Sequence, residues 1–235
     1  TALLLGLWYV FFTGLPWRSR LILVLISACC LAGIYFGVKR FTRMEGSIGG
    51  SGIPRLVWKG APKREGAARS LMLEPEAASP HQPAGSVQVP EGAFPQFLGP
   101  DRSGVLPSSP LQCDWDRSLP KTLWRQPIGL GWSAFAVSGQ RAVTQEQRRE
   151  DELIVCYDLQ TGRALWAHTN HVRFTEALGG DGPRATPTLH QGRVYAMGGT
   201  GILDCLEEAT GQLIWSRDVL RENRLSNLTW GKSCS

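Results

Sequence analysis

An all-β architecture, a partial β-propeller of about two four-stranded blades behind transmembrane α-helices and a linker, is predicted by three observations. The first is a stretch that occurs twice. Cys156-Tyr157-Asp158-Leu159-Gln160-Thr161-Gly162-Arg163-Ala164-Leu165-Trp166 returns as Cys205-Leu206-Glu207-Glu208-Ala209-Thr210-Gly211-Gln212-Leu213-Ile214-Trp215, offset by 49 residues. The second is a run of short β-rich segments between glycine turns after residue 93. The third is the absence of charge from residues 21–38. A fixed period of about 20–50 residues marks a repeat array or propeller.

The N-terminal part is read first. Residues 1–17 carry no charge and are rich in Leu, Trp, Tyr and Phe; Pro16-Trp17-Arg18-Ser19-Arg20 then reads as a turn. Residues 21–38 follow without charge and stop at Lys39-Arg40-Phe41-Thr42-Arg43. At about 1.5 Å per residue this run spans a hydrocarbon core of roughly 30 Å, so it is expected to be a transmembrane helix. Residues 1–15 are expected to be the end of another. A signal peptide fits poorly, because no small-residue cleavage site follows the second run. The membrane segment is thus assigned to residues 1–43. Two basic residues precede the second helix and three follow it. The positive-inside rule slightly favours a cytoplasmic tail, whereas the propeller reading favours the opposite side.

Residues 44–92 are assigned to a flexible linker: Gly46-Ser47-Ile48-Gly49-Gly50-Ser51-Gly52 is glycine-rich, and residues 74–90 are rich in Pro, Ala, Ser and Gln. Between them Ile53-Pro54-Arg55-Leu56-Val57-Trp58-Lys59 reads equally as a short strand, a connector or an interfacial anchor. Residues 93–235 are assigned to the N-terminal part of a propeller truncated at its C-terminus. Strands are expected at 140–144, 153–157, 164–166, 193–197, 202–206 and 213–215, with no helix after residue 93. Residues 146–152 (Glu-Gln-Arg-Arg-Glu-Asp-Glu) read as a charged hairpin tip. The repeat extends outward: residues 133–141 match 185–193 at an offset of 52, and Cys234-Ser235 lies 49 beyond Ala185-Thr186, where a third copy would begin. The chain is accordingly read as a piece of a longer protein, with an open blade edge and low stability when isolated, since each blade covers its face only against the next.

Charge excludes one class of partner. The net charge of +5 comes from the five basic residues of 1–43, whereas 44–92 balance five against five and 93–235 fifteen against fifteen. No basic groove for nucleic acid is expected. The six cysteines include no C-x-x-C pattern; Cys156 and Cys205, at equivalent repeat positions, read as small buried hydrophobes rather than a disulfide. His168 and His171 have no third ligand nearby in sequence, and Gly179-Gly180-Asp181-Gly182 lacks the Lys-Ser/Thr and helix of a phosphate loop. Glu176 and Asp181 lie between blades, where a solvated turn is the first reading and a ligand loop the second. No catalytic and no metal residues are assigned.

The repeated stretch resembles the PQQ-like β-propeller repeat family, which includes quinoprotein alcohol dehydrogenases and the outer-membrane assembly lipoprotein of the BAM complex. The family's blade signature is Ala-x-Asp-x-x-Thr-Gly-x-x-x-Trp. Asp158, Thr161, Gly162 and Trp166 match it, and Glu207, Thr210, Gly211 and Trp215 match it with Glu in place of Asp. The resemblance implies that these eight residues form a structural blade-docking motif, the Trp packing between neighbouring blades on a Thr-Gly turn. Phe94-Pro95-Gln96-Phe97-Leu98-Gly99-Pro100-Asp101-Arg102, Leu123-Trp124-Arg125 and Trp230-Gly231-Lys232-Ser233 are more narrowly similar to membrane-anchored proteins of this kind from planctomycete-type bacteria. Two functions are implied. One is a membrane-tethered, extracytoplasmic binding or scaffold propeller with protein or polymer partners and no chemistry in this stretch. The alternative is a quinone-dependent dehydrogenase whose catalytic and calcium residues lie beyond Ser235; PQQ and calcium enter only through the resemblance, and the cofactor-binding residues stay unassigned.

Overall fold

The computed structural model describes residues 14, 16–47, 53–61, 93–105 and 114–235. Residues 1–13 and 15, where a first helix was expected, most of the linker (48–52 and 62–92) and Cys113 lie outside the described residues. The chain forms two compact units: Thr1–Glu45 with Arg55–Ala61, and Gly46–Pro54 with Pro62–Ser235.

In the first unit, α1 (Trp17–Phe41) is long and apolar enough to cross a membrane. Its 25 residues correspond to a rod of about 38 Å. The expected turn at Pro16–Arg20 is instead the helix start. Pro16, extended at φ −62° and ψ 144°, precedes it, and its carbonyl accepts from the Ser19 and Arg20 amides. Proline suits this position because the first-turn N–H groups have no helical partner. The helix closes on Lys39 and Arg40, whose charge complements its C-terminal dipole. Part of the expected linker is ordered: β1 (Thr42–Ser47) and β2 (Pro54–Trp58) pair as a two-stranded sheet.

The second unit is built from two four-stranded antiparallel sheets, open and arranged as in a partial β-propeller. The first has the order β3 (Ala136–Ser138), β4 (Arg141–Arg148), β5 (Asp151–Asp158), β6 (Ala164–Asn170). The second repeats it with β7 (Thr188–His190), β8 (Arg193–Met197), β9 (Ile202–Glu207), β10 (Leu213–Asp218). The registers coincide: Ala136 opposes Val143 as Thr188 opposes Tyr195, and Ser138 opposes Arg141 as His190 opposes Arg193. Successive repeats within this unit also join by a recurring bond. The Ala134 amide donates to Thr186 Oγ1 at 3.2 Å, and the Thr186 amide donates to Ser235 Oγ at 2.8 Å.

Side-chain alternation sorts the core into two layers. Val143, Ile154, Cys156 and Trp166 face the second sheet and meet Leu189, Val194, Ala196 and Leu206. Leu153, Val155, Tyr157 and Ala164 form a second layer on the opposite face. The continuous apolar run of β5 is thus covered on both faces, as such runs require. Cys156 and Cys205 are buried with no exposed surface.

Two expectations fail here. The 146–152 segment is not a charged tip: β4 and β5 pair through to Arg148 and Asp151, and Glu146, Gln147 and Glu152 are buried. Only Arg149 and Glu150 make the turn, Arg149 taking φ +53°. A one-turn helix, α2 (Val219–Glu222), also follows β10; the Asp218 side chain caps it by accepting from the Arg221 amide at 3.0 Å.

Candidate functional site

The repeated acid-x-x-Thr-Gly turns are built alike. Asp158 Oδ1 accepts from the Gln160 amide at 3.1 Å and from the Thr161 amide and hydroxyl, both at 2.7 Å. The turn closes as the Gly162 amide donates to the Asp158 carbonyl at 2.8 Å, and Gly162 takes φ +70°. Short acidic side chains favour such turns because they replace a backbone acceptor. The Thr161 hydroxyl and amide bonds hold the Asp158 carboxyl below its ordinary range. In the second copy Thr210 Oγ1 donates to Glu207 Oε2 at 2.5 Å, and Gly211 takes φ +71°. Both carboxylates are engaged inside their own turns.

Each turn receives a tryptophan from the preceding unit, not from its own. Trp124 Nε1 donates to the Leu159 carbonyl at 2.9 Å, and its ring would lie 2.4 Å from a Cβ placed on Gly162. Trp166 Nε1 donates to the Glu208 carbonyl at 3.0 Å, and its ring would lie 2.5 Å from a Cβ on Gly211. Glycine is required twice over, by the positive φ and by the approach of the ring. The turn of Asp158, Thr161 and Gly162 thus receives Trp124, and the turn of Glu207, Thr210 and Gly211 receives Trp166. Trp215 meets neither turn; its ring sits 6.2 Å from that of Tyr195.

A buried polar layer between the sheets lies beside the apolar one. Gln147, Glu152 and Asn170 form one cross-strand row on the face toward the second sheet, one row further along than Gln145, Ile154 and His168. Gln145 Nε2 donates to the carbonyls of Ala185 and Met197 at 2.8 and 3.2 Å. Glu152 accepts from the Gly199 amide at 3.0 Å and the Thr200 hydroxyl at 3.3 Å. Asn170 Nδ2 donates to Asp204 Oδ2 at 2.6 Å, with His168 Nε2 3.8 Å from the same oxygen. Burial pushes the Glu152 carboxyl above its ordinary range, against the lowering pull of these donors. Asp204 Oδ1 and Gln147 Nε2 are buried and lack a hydrogen-bond partner among the described residues. Composition hid this layer, because Glu and Gln at a charged stretch read as surface. The signal lay in parity: Gln145, Gln147 and Glu152 share a face with Ile154 and Cys156.

On the other face Glu146, also buried, accepts from the Tyr157 hydroxyl at 3.0 Å and the Gly129 amide, and pairs with Arg148 at 3.1 Å. Burial first, and the Glu146 carboxylate second, raise the Tyr157 hydroxyl out of its ordinary range.

The loop of Glu176 and Asp181 closes on itself. Glu176 accepts from the Leu178 amide at 2.7 Å and from the Gly179 amide, and Asp181 pairs with Arg173 at 2.6 Å. Arg184 lies over the Phe174 ring, 5.0 Å from its centroid, and 3.6 Å from Glu176. His171 pairs with Asp151 at 2.8 Å on the surface, apart from His168 in the buried layer. Among the described residues, no group of three or more His, Cys, Asp or Glu side chains is arranged to hold a metal ion.

A family model described as outer membrane protein assembly factor BamB matches residues 104–230, more than half of the chain. Among solved structures, similarity extends to a quinohemoprotein alcohol dehydrogenase from Comamonas testosteroni. The identity there is 16% and the TM-score 0.31, over 40% of this chain and 14% of that one. It extends also to BamB from Moraxella catarrhalis, at 19% identity and a TM-score of 0.16, over 38% of this chain and 35% of that one. The chain therefore spans well under two thirds of either structure's length. No curated protein matches it.

Proposed function

From the premise that the chain belongs to the outer membrane protein assembly factor BamB family, we propose that it is a membrane-tethered scaffold. In this reading α1 spans a membrane and the blades present an extracytoplasmic binding surface, most simply to protein partners. The family's description, an assembly factor, supports a protein partner.

One observation carries the reading: the acidic and aromatic residues of the repeat are each engaged within the repeat array itself. Asp158 and Glu207 hold the hydroxyls of Thr161 and Thr210, and Trp124 and Trp166 lie on the following turns. We therefore assign Asp158, Thr161, Gly162, Trp166, Glu207, Thr210 and Gly211 to blade docking, with Trp124 on the first turn, and Trp215 by its equivalent place in the repeat rather than by a contact. A ligand needs one asymmetric site, whereas packing needs every copy. The edges where the two sheets converge, β3 and β7, are also covered from within the chain. Phe94 exchanges backbone bonds with Val137 at 2.9 and 2.8 Å, and the Leu189 amide donates to the Pro95 carbonyl at 2.7 Å.

The test is titration of the intact protein with pyrroloquinoline quinone and calcium, followed by quinone absorbance and tryptophan quenching. The scaffold reading expects no saturable binding at micromolar quinone. Saturable, calcium-dependent binding would overturn it in favour of the quinone-dependent dehydrogenase.

A further inference from the structure

The end of α1 and the sheet after it carry a basic, aromatic surface that the scaffold reading leaves unused. Lys39, Arg40, Arg43, Arg55 and Lys59 stand there against one described acid, Glu45. Arg43 neutralises that acid at 2.6 Å, and its other nitrogens donate to the Lys59 and Ala61 carbonyls, each at 2.9 Å. Arg43 thereby fastens the strands, and the four remaining cations are exposed. Lys59 Nζ reaches the Lys39 carbonyl at 2.8 Å, which sets it beside the last helical turn.

Aromatic rings lie among these charges. Phe41 and Trp58 stack with centroids 5.4 Å apart and planes 6° apart, yet are 50% and 59% exposed. Leu56, two residues before Trp58 and so on the same strand face, is 51% exposed. Arg40 lies 6.0 Å from the Phe41 centroid, and Lys39 lies 6.0 Å from that of Tyr35. Apolar rings beside exposed cations, directly after a bilayer-length helix, match the two layers of a lipid interface: the acyl boundary and the phosphate plane.

We infer that this surface is a platform for anionic phospholipid headgroups, with Phe41, Leu56 and Trp58 at the acyl boundary and Lys39, Arg40, Arg55 and Lys59 on the phosphates. The inference rests on the proposal that α1 spans a membrane, but not on which side the blades occupy. Complementarity of charge commits it to anionic lipid: a net four positive charges over a patch this small attract an anionic leaflet within a Debye length.

The experiment uses the full chain in phosphatidylcholine bilayers containing a minority of phosphatidylglycerol, with spin-labelled versions of each lipid reporting their relative association. The expected result is a preference for phosphatidylglycerol of at least several-fold, since each cation seated at the headgroup plane contributes roughly fivefold. The preference should fall by at least several-fold in Arg40→Gln/Arg55→Gln, which removes two of the four exposed cations, and should fall in high salt for the unaltered chain. Incorporation without lipid preference overturns the platform while leaving the membrane span intact. A preference undiminished in the double variant also overturns it, since the selectivity would then lie elsewhere. Failure of the chain to incorporate overturns the spanning reading and the platform with it.

Discussion

Replacing Gly211 with alanine makes two demands on one turn, and a second glycine separates them. Gly211 takes φ +71°, and an added Cβ would lie 2.5 Å from Trp166 Cδ2 and Cε3. Gly192, in the same repeat unit, takes φ +72° with nothing within 4 Å of its Cβ position. Both substitutions place an L-residue in the left-handed region, at about 1–2 kcal/mol. Only Gly211→Ala must also move the ring by about 1 Å to restore ordinary contact. A buried tryptophan contributes roughly 4–6 kcal/mol at 150–250 Å² and about 25 cal/mol per Å², so a partial displacement forfeits a fraction of that. Straining the bond to the Glu208 carbonyl adds about 1 kcal/mol. The expected total is about 3–5 kcal/mol for Gly211→Ala and about 1–2 kcal/mol for Gly192→Ala. Urea midpoints of the detergent-solubilised protein, compared at unchanged m, measure the difference. Equal losses for the two variants would refute the docking of Trp166 on this turn.

Other consequences follow from the same contacts. Trp166→Phe removes the Nε1 donor to Glu208 and should cost about 1–2 kcal/mol in the same urea assay; Trp124→Phe should behave alike at the first turn. Asp158→Ala removes the three bonds that its Oδ1 accepts, and faster amide exchange at Gln160 and Thr161 should report the loosened turn. Glu152 has its folded-state pKa raised by burial. Its contribution is therefore present in full below the ordinary Glu value of about 4.3 and lost as pH rises through the raised one. Stability should decline over that window, and Glu152→Gln should flatten the decline, as read from midpoints across pH. Glu208, raised first by burial, acts in the same direction, so the difference between the two profiles isolates Glu152. Asp158, held low, acts oppositely: its contribution is present above the ordinary Asp value and lost as pH falls through the lowered one.

The architecture was legible because a two-residue period and a fifty-residue repeat coincide. Short apolar runs gave strands 193–197 as observed and the others to within a few residues, and the matching offsets placed β3 and β7 at equivalent positions. The buried polar layer was not legible. Arg149 and Glu150 make the β4–β5 turn without the glycine or asparagine that usually marks one, so the charged residues on both sides were assigned to the tip. Periodicity also shows that a tryptophan recurs without showing which turn it meets. Trp166 lies on Gly211, 45 residues ahead of it, rather than on Gly162 four residues behind. That pairing is set by the packing of successive units, which no local pattern encodes.

The claim that α1 tethers extracytoplasmic blades is tested most directly by thiol accessibility. Cys234 is exposed, Cys156 and Cys205 are buried with no exposed surface, and Cys29 and Cys30 lie within α1. With Cys113→Ser, a membrane-impermeant maleimide applied to sealed right-side-out membrane vesicles has Cys234 as its accessible target. The account predicts labelling of Cys234 in sealed vesicles, and no labelling of Cys29 or Cys30 until the bilayer is dissolved. Labelling of Cys234 only after lysis would put the blades on the other side of the membrane and contradict it.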